Sequence, residues 1–456
     1  MTLRLYDTLR HSIREFIPRL AGQVSIYVCG PTVVTPPHIG QARSQISFDI
    51  LHRWLNHKNY QVTLCRNVTD IEDMILDRAV RENTPWWLIT EPSYRVFFSL
   101  YETLGCLPPS VEPRATGHIP EMIEMIERLV AKGNAYEADG SVYFSIASFP
   151  EYGRLSRQRM EHIRDVEGHA TGKRDPRDFA LWKSARPGEP CWQTPWGPGR
   201  PGWHLECSAM ARKYLGRAFD IHGGGANLVF PHHENEIAQS RALGDAFAGF
   251  WIHNGPVTRG GEKIHKSLRN PLSVESLLTR VRPAELRYYL AAPHYRSAVE
   301  FSGSALDDAA RAYRRIERFV YNAAQRIGHG AAPGRLPAEF AAAMDDDLRV
   351  PRALSIVHSA VTDGNAALDA SDDDGVAANY RAVRTMLGIL GLDPLDQHWK
   401  GNTHTRLENI ASALLALIHE LAEAARQRGD RARADAILAQ ARQHGDLERI
   451  HSTSSK

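Results

Sequence analysis

Cysteine is scarce in this chain. There are five in 456 residues, an odd number, which argues against a disulfide framework and for a reducing compartment. A surplus of one charge sign is missing too: Lys and Arg total 55 against 53 Asp and Glu, so net charge does not point to a nucleic-acid partner. A nucleic-acid binder of this composition has to cluster its basic residues. The stretches Arg280–Arg287 and Arg311–Arg318 are candidates, although charged helix faces are ordinarily just solvated. No run approaches twenty apolar residues and no secretory leader is recognisable, so a soluble cytoplasmic chain with no membrane partner is expected. No internal repeat is present, and the length suits two or three domains with a large core.

What the chain does have is a set of zinc-type donors inside chemically suggestive segments. His232 and Glu236, in the run Phe230-Pro231-His232-His233-Glu234-Asn235-Glu236, are four apart and share one face of a helix. With Cys29 and Cys207 they make a donor set of thiolates, imidazole and carboxylate that zinc accepts. Scattered Cys and His are ordinarily packing residues, and only the fold could gather these four.

Two further segments suit a nucleotide. Ile26-Tyr27-Val28-Cys29-Gly30-Pro31 reads as a short strand, followed by a Pro/Gly-rich loop through His38-Ile39-Gly40-Gln41 and a helix opening near Gln41. A glycine at a helix N-terminus lets phosphate approach backbone N–H groups and the positive end of the dipole. Gly260-Gly261-Glu262-Lys263-Ile264-His265-Lys266-Ser267 puts two lysines in a glycine-led loop, where they could offset charge on a leaving pyrophosphate. Read blandly, the first is an ordinary strand–turn–helix and the second a solvated basic turn.

In this order and at this separation the two segments resemble the signature pair of class I aminoacyl-tRNA synthetases. Narrower motifs are Arg66-Asn67-Val68-Thr69-Asp70-Ile71-Glu72-Asp73, Pro113-Arg114-Ala115-Thr116, Gly199 through Met210, and Asp220-Ile221-His222-Gly223-Gly224-Gly225. With the His-His-Glu-Asn-Glu run they resemble the cysteinyl-tRNA synthetase family in its actinobacterial form, from about Leu3 to about Trp399. The resemblance implies one zinc per chain on Cys29, Cys207, His232 and Glu236. It places Thr69 and Trp203, with Cys29 and His232, beside substrate cysteine. His38, Gly40, Gln41, Lys263, Lys266 and Ser267 fall to ATP with Mg2+, and His38, Lys263 and Lys266 to catalysis. The implied partners are tRNA(Cys), L-cysteine and ATP, and the implied state is a monomer. Zinc-based selection of a thiolate over serine's hydroxyl would make a proofreading domain unnecessary.

The chain departs from the family pattern in four places. Gln41 stands for the second signature histidine, and Lys263-Ile264-His265-Lys266-Ser267 for Lys-Met-Ser-Lys-Ser, with Arg269 where glycine is usual. Met74 replaces a lysine and Asn227 an aspartate. The C-terminal stretch shows no strand pattern where the family reads the anticodon, so it reads as truncated or divergent. Two other functions follow from these departures: a cysteine ligase acting on a small molecule, as in mycothiol synthesis, or a non-catalytic relative that binds cysteine or tRNA.

The expected architecture is α/β, a Rossmann-like catalytic domain carrying an insertion, followed by an all-α bundle. The halves of the catalytic domain fall at residues 1–112 and 199–256 around an insertion at 113–198. An ATP-loop region follows at 257–303, a helical bundle at 304–400 and an anticodon region at 401–456. Helices are expected over Glu121–Ala131, Leu306–Val320, Glu339–Leu368 and Ala377–Leu392, and a strand at Val142–Ser145. Cys65, Cys106 and Cys191 are expected to be packing residues.

Overall fold

The computed structural model describes residues 2–163, 172–263, 272–328 and 334–399. A hairpin of β1 (Arg4–Asp7) and β2 (Ser12–Glu15) opens the chain, followed by β3 (Gln23–Val28), α1 (Ile39–His57), β4 (Gln61–Arg66), α2 (Asp73–Glu82) and α3 (Trp86–Thr103). Next come α4 (Ile119–Ala131), β5 (Ala135–Ala138), β6 (Ser141–Phe144), β7 (Phe179–Ser184) and β8 (Gly199–Pro201). The α/β pattern resumes with α5 (Trp203–Leu215), β9 (Ala218–Gly225), α6 (Glu234–Ala242) and β10 (Phe247–Asn254). Then follow β11 (Val257–Arg259), β12 (Glu262–Lys263), α7 (Val274–Leu278), α8 (Pro283–Ala291) and β13 (Val299–Glu300). Four helices complete the described part: α9 (Gly303–Ile327), α10 (Ala338–Asp345), α11 (Val350–Asp369) and α12 (Asp373–Leu390).

The central sheet has the order β10-β9-β3-β4, with every pairing parallel. Val24, Ile26, Tyr27 and Val28 are all buried because both faces of such a sheet are covered. Helix α1 lies close on it: a side chain at Gly223 would overlap the Phe48 ring. The two halves of this sheet are separated in sequence by the insertion. There, α4 precedes an antiparallel sheet β5-β6-β7-β8 whose last strand reaches Pro201. Of that sheet, patterning reveals only β6; β5 and β8 are too short to show an alternation.

The helix expected over Glu339–Leu368 is two helices, α10 and α11. Asp347 and Leu348 both adopt left-handed backbone (φ 58 and 51), and Pro351 stands in the first turn of α11. The turn is held by the Asp347 carboxylate, which accepts from the Tyr6 N–H at 2.8 Å, the Tyr295 hydroxyl at 2.7 Å and Arg296 Nε at 2.8 Å.

Two more buried carboxylates tie the helical end to the catalytic half. Asp49 of α1 pairs with Arg287 of α8, both fully buried, and Arg287 also donates to Leu390 O at the end of α12 and to Leu104 O. Asp345 of α10 accepts from Lys58 Nζ at 2.8 Å and Trp54 Nε1 at 3.2 Å. Met1–Asp393 form one compact unit. The stretch read as a divergent anticodon region, 401–456, lies outside the described residues. All five cysteines are free. Cys65 packs in the core and Cys106 lies against Arg287, but Cys191 is exposed in the loop before β8 and packs nothing.

Candidate metal centre and active site

The loop after β3 carries Cys29 to the C-terminal edge of the sheet, where its N–H donates to Gly223 O of β9 at 3.0 Å. Gly30 follows because nothing larger fits: a side chain would overlap the Asn67 carbonyl, and the Gly30 N–H donates to Asn67 Oδ1 at 2.8 Å. Thr69 is drawn to the same loop, its N–H donating to Pro31 O at 3.1 Å. Cys207 lies one turn into α5, which starts directly after Gly202, packed on the Ala180 carbonyl. His232 sits in the wide turn Val229–His233, where Phe230 is extended (φ −136, ψ 135), and Glu236 in the first turn of α6.

The fold does gather the four predicted donors. Cys29 Sγ is 3.7 Å from Cys207 Sγ and 3.5 Å from Glu236 Oε1, and His232 Nε2 is 3.2 Å from the same oxygen. A tetrahedral ion with metal–sulfur bonds of about 2.3 Å and metal–nitrogen or metal–oxygen bonds of about 2.05 Å separates its donors by about 3.8, 3.6 and 3.3 Å for those pairs. The donor chemistry and these three spacings therefore fit zinc. Cys207, His232 and Glu236 are buried, and Cys29 is half-buried.

A second donor group, Cys29, His222, His233 and Glu236, shares the spot. His222 Nε2 is 2.8 Å from Glu236 Oε2, which is hydrogen-bond spacing and too short for two ligands of one ion. His222 thus orients the carboxylate, while His233 Nε2 lies 3.3 Å from Cys29 Sγ and its Nδ1 is 2.8 Å from His253 Nε2. His204 meets His232 Nδ1 at 2.9 Å, leaving Nε2 of that ring toward the cluster. Burial and the adjoining imidazoles hold His204, His233 and His253 below the ordinary histidine range, His253 at about 3, so these rings are neutral at pH 7. Burial raises the Cys29 thiol; Cys207 is also raised by burial, but hydrogen bonding from Cys29 and the nearby His232 bring it down to about 6. Sequence reasoning missed the roles of these outer histidines. The available signal was polar residues inside central strands: His222 and His253 occupy positions where a parallel sheet ordinarily carries Val or Ile.

Trp203 lies against His232 with ring centroids 4.2 Å apart and the planes tilted by 34°, and Thr69 is buried beside Asn67, whose Nδ2 lies 3.3 Å from its Oγ1. The nucleotide end is built differently. His38 is the N-cap of α1: its Nδ1 accepts from the Gly40 N–H at 3.1 Å, so Nε2 carries the ring proton. Gln41 Oε1 accepts from the His38 N–H at 3.0 Å, closing a capping box, and the helix starts at Ile39 rather than at Gln41. Backbone bonds from Ile39 N to Leu272 O and from Val274 N to Pro37 O bring the far end of the basic loop against this cap. The backbone of Lys263 pairs with Thr258, and Lys266 and Ser267 lie outside the described residues.

Residues 15–311 match the family model of the tRNA synthetases class I (C) catalytic domain, and residues 339–394 that of the DALR domain. The cysteine–tRNA ligase of Streptomyces avermitilis is 54% identical over 449 residues, covering 98% of this chain and 96% of that protein. The chain belongs to the class I cysteine–tRNA ligase family. The cysteine–tRNA ligase of Streptomyces coelicolor is also 54% identical, with 98% of this chain and 73% of that longer protein covered. Among solved structures, Mycobacterium tuberculosis methionyl-tRNA synthetase in complex with methionyl-adenylate superposes with a TM-score of 0.58 over 82% of this chain and 92% of that one, at 14% identity. That likeness shows the class I fold. Among the described residues no helix is long and apolar enough to cross a membrane.

Proposed function

We propose that this chain activates L-cysteine with ATP and Mg2+ and passes it to tRNA(Cys), selecting the amino acid through zinc on Cys29, Cys207, His232 and Glu236. The observation that carries the metal is the donor spacing, which matches a tetrahedral ion in three independent pairs. Bound there, zinc would supply a soft cation that prefers a thiolate to serine's hard, protonated hydroxyl. A pocket sensing size alone could not separate two substrates that differ by one atom.

The chain's own groups do the rest by positioning. Trp203 and Thr69 flank the amino acid, and its carboxylate oxygen attacks the α-phosphorus while the bond to pyrophosphate breaks in line. His38 Nε2–H and the backbone beside Gly40 receive the phosphate at the N-terminus of α1, where the helix dipole favours the anion. Gln41 acts through His38 by fixing its cap. Lys263, Lys266 and Ser267 offset charge on the departing pyrophosphate. A ribose hydroxyl at the tRNA 3′ end then attacks the carbonyl and AMP leaves, with no covalent enzyme intermediate.

The test combines metal analysis with cysteine-dependent ATP–pyrophosphate exchange and charging of a tRNA(Cys) transcript. One zinc per chain, exchange with cysteine but none with serine, and charging of the transcript are expected. Absence of zinc, or appreciable serine exchange, overturns the metal reading. Exchange without charging points to a small-molecule acceptor.

A further inference from the structure

Helix α9 carries five arginines, and their partners divide them. Arg311 pairs with Asp308, Arg314 with Glu285 at 2.6 Å and Arg326 with Asp373 at 2.7 Å. Arg315 and Arg318 have no carboxylate within ion-pair distance among the described residues. These two, one helical turn apart, are the arginines that border a cleft of about 660 Å³ between α9 and α11.

The cleft is built to keep those guanidiniums at its rim. Its floor is Phe319 and Val361, both buried. A side chain at Gly364 would collide with the Phe319 ring, so the glycine lets α11 approach α9. The opposite wall offers neutral groups, His358, Thr362 and Asn365, with Asp369 the one carboxylate bordering the cleft. His358 is fixed by Tyr288, whose hydroxyl lies 2.8 Å from its Nε2, and burial together with Arg315 holds it below the ordinary range, so it is an uncharged donor or acceptor at pH 7. Two unpaired guanidiniums beside neutral hydrogen-bonding groups suit a phosphodiester, whose oxygens accept from Arg and add no hydrophobic demand.

We infer that the α9–α11 cleft is a backbone-phosphate grip for the tRNA that this enzyme charges, with Arg315 and Arg318 as its contacts. The inference rests on the tRNA acceptor of the proposed function. Overall charge is near balance, so RNA affinity depends on local sites of this kind, and the grip carries no sequence information.

The experiment uses the full chain with Arg315→Gln/Arg318→Gln, and Arg311→Gln as a control for loss of an ion-paired arginine on the same helix. Cysteine-dependent exchange, which involves no tRNA, should match wild type, and so report an intact fold. The KM for tRNA(Cys) transcript should rise about tenfold or more with kcat little changed, and the slope of log affinity against log salt should fall by about 2, one per lost phosphate contact. Arg311→Gln should leave both within twofold. An unchanged KM and salt slope in the double variant overturn the grip; so does an equal effect of Arg311→Gln, which would mean diffuse charge. If the double variant loses exchange as well, the single variants Arg315→Gln and Arg318→Gln give the same test, each with the salt slope expected to fall by about 1 and an unchanged slope in both overturning the inference. A wild-type enzyme that exchanges but charges no tRNA would instead defeat the acceptor assignment.

Discussion

The ends proposed for the amino acid and for the nucleotide follow from strands of one sheet, yet they are built differently. At the end proposed for the amino acid, Cys29, Cys207, His232 and Glu236 are gathered within metal-ligand spacing and backed by a second rank of histidines. At the nucleotide end, Gln41 is spent on capping α1 and the signature histidine His38 is half committed to the same cap. The contrast follows from what each end recognises. Discriminating sulfur from oxygen requires fixed geometry around a cation, whereas a phosphate can be met by backbone amides at a helix N-terminus. The Gln41 departure therefore reads as a change of part within a preserved cap.

The sharpest way to break this contrast is at the metal. Cys207→Ala should lose zinc and reduce cysteine-dependent exchange a thousandfold or more, about 4 kcal/mol of transition-state stabilisation; metal analysis beside exchange kinetics checks it. An active, zinc-free variant would show that the metal donors are not what choose cysteine.

Next in size is the joint that carries α1, on which the nucleotide end rests. Asp49→Asn should cost about 3 kcal/mol in urea unfolding, because Arg287 stays buried with its charge uncompensated. Burial pushes the Asp49 carboxyl up, but Arg287 and Arg53 outweigh it and hold it below the ordinary range. Its contribution is thus fully present above the unfolded carboxylate pKa of about 3.9 and fades as pH falls through the lower folded value. Unfolding measured from pH 6 down to pH 3 should show less acid sensitivity in the variant than in wild type.

His222→Ala probes the support of the metal rather than its ligands. Removing the group that orients Glu236 should weaken zinc affinity about 10–100-fold without abolishing binding, as competition with a chelator would register. The smallest effect is expected at the nucleotide end. Gln41→Ala opens the capping box, worth about 1 kcal/mol, and exchange should fall about fivefold, with the loss in ATP KM. A loss as large as that of Cys207→Ala would erase the distinction between the two ends.

How much of this was legible beforehand differs between the same regions. The donors at Cys29, Cys207, His232 and Glu236 could be named because each lies in a specific motif, and the parallel sheet because its strands are apolar runs separated by helices. The second rank could not: nothing in spacing says that His222 addresses Glu236 or that His233 addresses Cys29, since those contacts join residues from different strands and helices. The break between α10 and α11 was hidden for a related reason. Apolar periodicity continues across it, and the signal that ends α10 is Asp347, whose partners Tyr6, Tyr295 and Arg296 are remote in sequence. The role of Gln41 is hidden because against the family's histidine it reads as a lost cation, while its capping bond depends on where α1 begins.

The three buried aspartates at the junction of the catalytic half and the helices have a mechanical meaning. Asp49, Asp345 and Asp347 fasten α8, α10 and the turn before α11 at three separate points to α1, β1 and their neighbours. Fastenings at several separate points resist swinging more than a single one would. On the reading that the α9–α11 cleft grips tRNA, such a bundle would move with the catalytic half, so RNA and reaction site would keep one spacing.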